Sequence, residues 1–127
     1  MSIPQAPPPA KLVISALTAD KDRLAALVQG LIDLFGPLDL LSEWLPFTYS
    51  RYYEKEMGAP LFRRMIVHKN LVAQERLAQI KIATNRLEDE AMIQGQRRLN
   101  IDPGIITAER FVLASGKNFT HRIPIGD

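Results

Sequence analysis

A change in hydrophobic period near residue 20 is the feature that most constrains the fold. Residues 11–19 read KLVISALTA, an apolar run of strand length that suits a buried central strand. From Lys21 onward, apolar residues recur at helical spacing: Leu24, Leu27, Val28, Leu31, Ile32 and Phe35. Thr18 and Asp20 offer helix-capping oxygens, and Gly36-Pro37 offers a stop. These patterns predict a β-strand followed directly by an amphipathic α-helix.

The central part of the chain continues this alternation. Residues 38–53 are dense in apolar and aromatic side chains and predict a second extended segment, in which Pro46 indicates an edge, a bulge or a strand end. Residues 57–60 predict a turn, and residues 61–72 a third strand. Residues 74–95 carry the longest helical stripe and end in a glycine.

The C-terminal part is less regular. Residues 97–106 supply a fourth strand, within which the Asp-Pro-Gly step at 102–104 is a turn signal. Thr107 could cap a short helix that continues to Leu113, although the same stretch also fits a strand. Residues 115–120 predict a polar loop, and residues 121–125 begin another strand.

This element order predicts an α+β fold of the ferredoxin-like (split βαβ) type. Its sheet would be antiparallel or mixed, with two main helices on one face. Residues 1–10 contain four of the nine prolines and predict a flexible tail. Residues 11–127 then form a single domain, in keeping with the length of 127 residues.

Composition excludes several classes of protein. The chain has no cysteine, which rules out disulfide scaffolds, thiolate metal sites and cysteine nucleophiles. A net charge of +2 gives no sign of a nucleic-acid binder, so that partner is disfavoured. Without a signal-peptide pattern or an apolar run of roughly 18 residues, we expect a cytoplasmic protein with no membrane association. Neither G-x-x-x-x-G-K-[ST] nor G-x-G-x-x-G occurs, which argues against a P-loop mechanism.

The polar stretch 97–122 is the strongest candidate for a site. Its loop Ser115-Gly116-Lys117-Asn118 could hold a phosphate or carboxylate, with Arg122 adding a bidentate contact. His121 is a candidate acid or base, although a single histidine is more often structural. The candidate ligand-binding residues are Asn100, Asp102, Thr107, Ser115, Lys117, His121 and Arg122. No catalytic residue or cofactor is assigned. The two histidines lie far apart in sequence, which argues against a transition-metal site, whereas a Mg²⁺ ion bound by carboxylates stays an open alternative.

Two other clusters have simpler interpretations. The aromatic segment 44–53 favours core or interface packing, including a homodimer contact, over stacking of nucleic-acid bases. Residues 88–90 are consecutive helical carboxylates and therefore point in different directions. Asn85 and Glu88 share one face, yet a solvated face is the default interpretation for both.

The sequence also resembles a known family. The stretches that carry the resemblance are KLVISALTAD (11–20), FGPLDL (35–40), PFTYSRYYEKEMG (46–58), TNRLE (84–88), RRLNIDPG (97–104) and LASGKNFTHRIPIGD (113–127). They resemble a bacterial family of small proteins filed as a domain of unknown function, some members of which are labelled automatically as GTP-binding. Members continue past the equivalent of Gly126–Asp127 with a β-hairpin and a tail. The resemblance therefore implies a domain that is truncated, processed or naturally shorter here, and it brings no established activity.

Three hypotheses follow, in descending order. The first is a domain that binds a phosphorylated or carboxylated small molecule, including a nucleotide held without a P-loop, through Lys117, Arg122 and residues 100–104. The second is a non-catalytic dimerisation or protein-interaction module. The third is an enzyme that uses His121 or Asp102 on a phosphorylated ligand.

Overall fold

The computed structural model describes residues 8–48 and 52–107, together with the backbone of residues 111–113. A short 3₁₀ turn, Gln74–Arg76, precedes the third helix. The strands are β1 (Ala10–Thr18), β2 (Leu38–Leu41), β3 (Leu45–Phe47), β4 (Leu61–Val72), β5 (Leu99–Ile106) and β6 (Phe111–Leu113), and the helices are α1 (Lys21–Phe35), α2 (Glu54–Met57) and α3 (Leu77–Glu90). No helix of the described ranges has the length and apolar character needed to cross a membrane.

The strands form an antiparallel sheet in the order β2-β4-β1-β5-β6, and β3 also pairs with β4. β1 lies between β4 and β5, as its apolar character on both faces predicts. Because β4 separates β1 from β2, helix α1 connects two parallel strands that are not adjacent. The predicted α+β class is confirmed, and the strand order is compatible with the ferredoxin-like arrangement.

The main core lies between the sheet and two helices. Alternate residues of β1 point to one face, where they meet α1 and α3. The buried members are Leu12, Ile14 and Ala16 of β1, Leu24, Leu27 and Leu31 of α1, Ile66 of β4, Ile80 of α3, and Leu99 and Ile101 of β5. A smaller cluster on the other face packs α2 against the end of the sheet through Leu17, Met57 and Leu61. The two main helices therefore share one face.

The predicted turn at residues 102–104 is wrong. β5 runs through Asp102, Pro103 and Gly104 without interruption, and Pro103 is paired with Ile14 of β1. The described pairing with β6 begins one residue later, at Gly104. Long-range pairing with the central strand thus overrides the local turn preference, since a proline is tolerated where no ladder hydrogen bond is required of it.

Several boundaries also differ from the prediction. Helix α3 ends at Glu90, and residues 93–96 form a tight turn in which Gly95 has a φ of 75°. The extended segment 38–53 contains two short strands, and the short helix α2 was not predicted. Of the two alternatives for the stretch after Thr107, residues 111–113 form a strand. The predicted loop and strand at residues 115–125 lie outside the described residues, as do residues 1–7 of the predicted tail.

Candidate functional site

The connection between β1 and α1 is fixed by side-chain hydrogen bonds at one end of the sheet. The buried Thr18 hydroxyl accepts from the Asp20 backbone N–H at 2.9 Å and donates to the Arg98 carbonyl at 3.0 Å. Asp20 caps α1, because its Oδ1 accepts from the Arg23 backbone N–H at 3.1 Å. These hydrogen bonds fix the C-terminal end of β1 and the N-terminal end of α1 next to Arg98, which directly precedes β5.

A cleft of about 680 Å³ opens at this end of the sheet. We call it the α1 cleft, and its lining consists of residues 19–22, residues 57–59, Phe62, Ile93 and Arg98. Its volume lies in the usual range for small-molecule sites. Gly58 follows the last residue of α2 and forms part of the cleft wall. Its φ of 90° is a conformation that residues with a side chain rarely adopt. The cleft combines apolar walls with charged groups from α1 and from the start of β5.

Lys21 is held over aromatic rings at the edge of the α1 cleft. Its ammonium lies 4.1 Å from the Phe62 ring centroid and 5.5 Å from that of Trp44. The two rings meet edge to face at 6.4 Å, and the Arg64 guanidinium lies 4.7 Å from the Trp44 centroid. Such cation–π contacts orient a cation but leave its charge un-neutralised.

Arg98 contributes a second cation to the α1 cleft. Its Nε is buried and has no hydrogen-bond partner among the described residues. The lining carboxylates differ in availability, because Asp20 is engaged with Arg23 at 3.5 Å, whereas Asp22 is exposed in the first turn of α1. Arg98 as a whole is half-buried, and the Nη groups of a guanidinium can donate charge-assisted hydrogen bonds to a ligand oxygen in the cleft.

A second charged region, which we call the β5 network, comprises Glu56, Lys81, Arg97, Asn100 and Asp102. Arg97 donates from Nε to Glu56 at 3.0 Å and from Nη1 to Asn100 Oδ1 at 3.0 Å. Asn100 in turn donates to Asp102 at 3.0 Å. Lys81 completes the chain with an ion pair to Asp102 at 3.2 Å. The network thus connects α2, α3 and β5, and each of its charged groups has an opposite charge within ion-pair distance.

Helix α3 also satisfies the backbone of β5. The Ile101 N–H donates to Glu88 Oε2 at 2.6 Å, and the Ile101 carbonyl accepts from Lys81 at 3.0 Å. This position precedes the described pairing between β5 and β6, which starts at Gly104. Side chains from α3 therefore serve as hydrogen-bond partners where a sheet edge needs them. The predicted solvated face is wrong for Glu88, which is 7% exposed.

The pKa values of Glu56 and Glu88 are shifted in opposite directions. Hydrogen bonds from the Arg97 side chain lower the pKa of Glu56 below its ordinary value of 4.5. Burial raises the pKa of Glu88, and the hydrogen bond from Ile101 acts against that rise. Glu56 is therefore stabilised as a carboxylate, whereas burial disfavours the ionised form of Glu88.

His68 is fully buried at the other end of α1. Its Nδ1 donates to the Gly36 carbonyl at 2.9 Å, and its ring packs edge to face on Phe35 at 5.7 Å. Nε2 is buried without a hydrogen-bond partner among the described residues, and burial lowers the pKa of the ring. These contacts describe a neutral core histidine, which is distant in the fold from the α1 cleft.

The predicted site residues divide into two groups. Asn100 and Asp102 are adjacent, as expected, but they bond to Arg97, Lys81 and each other. Thr107 directly follows the end of β5. Ser115, Lys117, His121 and Arg122 lie outside the described residues, so their roles stay predictions. Within the described part of the chain, no group of three histidine, aspartate or glutamate side chains could hold a metal ion.

Sequence reasoning did not identify Lys21, Phe62 or the particular importance of Arg98. Arg97 and Arg98 both fall in the polar stretch 97–122, and no local sequence pattern separates their roles. The one available signal was the helix-start pattern at Thr18 and Asp20, which positions Lys21 in the first turn of α1.

Comparison with known proteins identifies a family. The sequence model of a domain of unknown function, DUF4416, matches residues 8–127. The match covers nearly the whole chain, and the expected resemblance to a family without assigned function is confirmed. No curated protein and no solved structure matches the chain.

Proposed function

The chain belongs to the DUF4416 family of domains of unknown function, and we propose that it binds a small phosphorylated or carboxylated molecule in the α1 cleft. The observation that carries this proposal is Arg98, which lines the cleft and has a buried Nε without a hydrogen-bond partner among the described residues. Guanidinium groups bind phosphates and carboxylates through strong charge-assisted hydrogen bonds. The proposed setting is the cytoplasm.

Lys21 supports the same proposal. It belongs to a different element from Arg98, yet both residues line the α1 cleft, so an anion between them could contact two cations. The apolar walls formed by Met57, Phe62 and Ile93 would exclude water from part of the ligand and strengthen those contacts. A nucleotide is one ligand of suitable size and chemistry, held here without a P-loop. Lys117 and Arg122 lie outside the described residues and stay proposed ligand-binding residues of the C-terminal stretch.

The test is a thermal-shift panel of phosphate, sugar phosphates, nucleotides including GTP, and di- and tricarboxylates. A ligand at 100 times its dissociation constant stabilises a protein by about 2.7 kcal/mol, or a shift on the order of 10 °C for this size. Arg98→Ala should reduce the shift, whereas Arg86→Ala, a change at an exposed arginine of α3, should not. An equal shift in the Arg98→Ala protein would contradict the proposed site.

A second candidate is a homodimer formed through the β2–β3 edge. Leu40 and Leu45 at this edge are 54% and 44% exposed, and exposed apolar edge strands favour pairing with another chain. Light scattering at high concentration tests it, with Leu40→Lys expected to shift a dimer toward monomer. A strictly monomeric wild-type protein would contradict this candidate.

A further inference from the structure

We propose that the ligand of the α1 cleft carries at least two anionic groups, as a pyrophosphate or polyphosphate does. This inference rests on the proposed function and specifies its ligand. The observation behind it is the number of cations at the cleft that lack a carboxylate partner among the described residues. Lys21 and Arg98 line the cleft and meet that description. Arg64 lies beside Lys21 at the Trp44 ring, next to the lining, and also has no carboxylate partner among the described residues.

Aromatic rings position two of these cations. Lys21 and Arg64 share the Trp44 ring, at 5.5 and 4.7 Å from its centroid, and Lys21 also lies over Phe62. The Arg64 Nε donates to the Ser42 carbonyl at 2.8 Å, which fixes the guanidinium without neutralising it. The two positive charges therefore lie beside one indole ring, next to the cleft wall that contains Phe62.

Arg98 provides the third positive charge from the start of β5. Two neighbouring arginines differ from Arg98, because Arg23 pairs with Asp20 and Arg97 pairs with Glu56. Among the carboxylates that line the α1 cleft, Asp22 alone has no ion-pair partner in the described residues. The unpaired charges thus sum to a local excess of positive charge.

This excess decides between ligand classes. One carboxylate or one phosphate group would neutralise part of it, whereas a ligand with two or more anionic groups would contact Arg98 and the Lys21 side of the cleft together. A volume of about 680 Å³ also exceeds the need of a single inorganic phosphate. Matching of ligand charge to the local potential raises both affinity and association rate.

The experiment measures dissociation constants by isothermal titration of the full chain with acetate, orthophosphate, pyrophosphate and tripolyphosphate. All four are compared at one pH and one ionic strength, because salt screens such contacts. The affinity should rise along this series, and tripolyphosphate should bind at least roughly tenfold more tightly than orthophosphate, the gain from one added charge-assisted hydrogen bond.

Two variants locate the effect. Lys21→Ala and Arg98→Ala should each weaken tripolyphosphate binding roughly tenfold, while Arg98→Lys should weaken it less. Lys69→Ala is the matched control, because Lys69 is exposed toward the other end of β4 and should leave the affinity unchanged.

The two proposals fail in different ways. If orthophosphate binds as tightly as tripolyphosphate and Arg98→Ala weakens both, the multivalent ligand is wrong and the anion site stands. If none of the four anions binds, or if Lys69→Ala has the same effect as Lys21→Ala, both proposals are wrong.

Discussion

Arg97 and Arg98 are neighbours in sequence but belong to two different charged regions. The cation is paired with a carboxylate in one region and has no such partner among the described residues in the other. In the β5 network, Arg97 contacts Glu56 and Asn100, so its charge is paired and its side chain connects α2 to β5. In the α1 cleft, Arg98 has no ion-pair partner among the described residues. Fully paired charges contribute to stability, whereas unpaired charges beside a cavity are available to a ligand.

The aromatic residues sharpen this contrast. Carboxylates hold the cations of the β5 network, whereas Trp44 and Phe62 hold Lys21 beside the α1 cleft. A ring fixes the position of an ammonium group without cancelling its charge. The difference teaches that the partner of a cation is a better guide to its role than its residue type or its place in the sequence.

The largest expected effect separates the two arginines by stability. Arg97→Ala removes the donors to Glu56 and to the nearly buried Asn100, and should lower the free energy of unfolding by about 2 kcal/mol. Arg98→Ala should change it by less than about 0.5 kcal/mol, because the Arg98 side chain makes no ion pair or hydrogen bond with the residues that the structure describes. Urea unfolding followed by circular dichroism measures both. Equal losses in the two variants would remove the distinction.

A smaller effect comes from pH. Because Arg97 lowers the pKa of Glu56, the unfolded chain takes up a proton before the folded chain does as the pH falls. The stabilisation from Glu56 is therefore complete above pH 4.5 and is lost as the pH falls through the lowered value. The loss should be about 1 kcal/mol or less, because the side chain is 38% exposed and screened by solvent.

Glu56→Gln is the matched variant for this pH dependence. It cannot ionise, so its free energy of unfolding should vary less between neutral and acidic pH than that of the wild type. Urea unfolding at several pH values compares the two proteins. Parallel pH profiles would show that Glu56 does not contribute in this way.

The smallest effect concerns the cation held by rings. Lys21→Ala should lower the free energy of unfolding by about 0.5 kcal/mol, the value of an exposed cation–π contact. It should also change the fluorescence of Trp44, the single tryptophan of the chain, because the ammonium lies 5.5 Å from its ring. Lys69→Ala should leave the spectrum unchanged, and a shift of the same size in that control would argue against the contact.

The elements governed by local pattern were predictable. β1, α1 and β4 followed from apolar periodicity, and the Asp20 cap and Gly36 stop from local backbone chemistry. Residues 102–104 were not, because β1 imposes an extended conformation on a sequence that locally favours a turn. Local preferences decide the structure of segments that make no long-range pairing. In β5, pairing with β1 overrides the local turn preference.

The charged regions depend still more on tertiary structure. The sequence places Asn100 and Asp102 together, but their other partners are Lys81 of α3 and Arg97, which precedes β5. Glu88 could not be assigned to the interior without knowing that α3 lies along the backbone of β5. Arg97 and Arg98 differ in role because their side chains meet different elements, which no local pattern encodes.

The most direct test of the α1 cleft as an anion site is a nuclear magnetic resonance titration that resolves the arginine Nε–Hε signals. Tripolyphosphate is added to the ¹⁵N-labelled chain, with Arg97→Lys and Arg98→Lys variants used to assign the two signals. We predict a large, saturable shift of the Arg98 signal and little change in that of Arg97, whose Nε already donates to Glu56. Movement of the Arg97 signal with an unchanged Arg98 signal, or no saturable shift in either, would contradict the assignment of the α1 cleft.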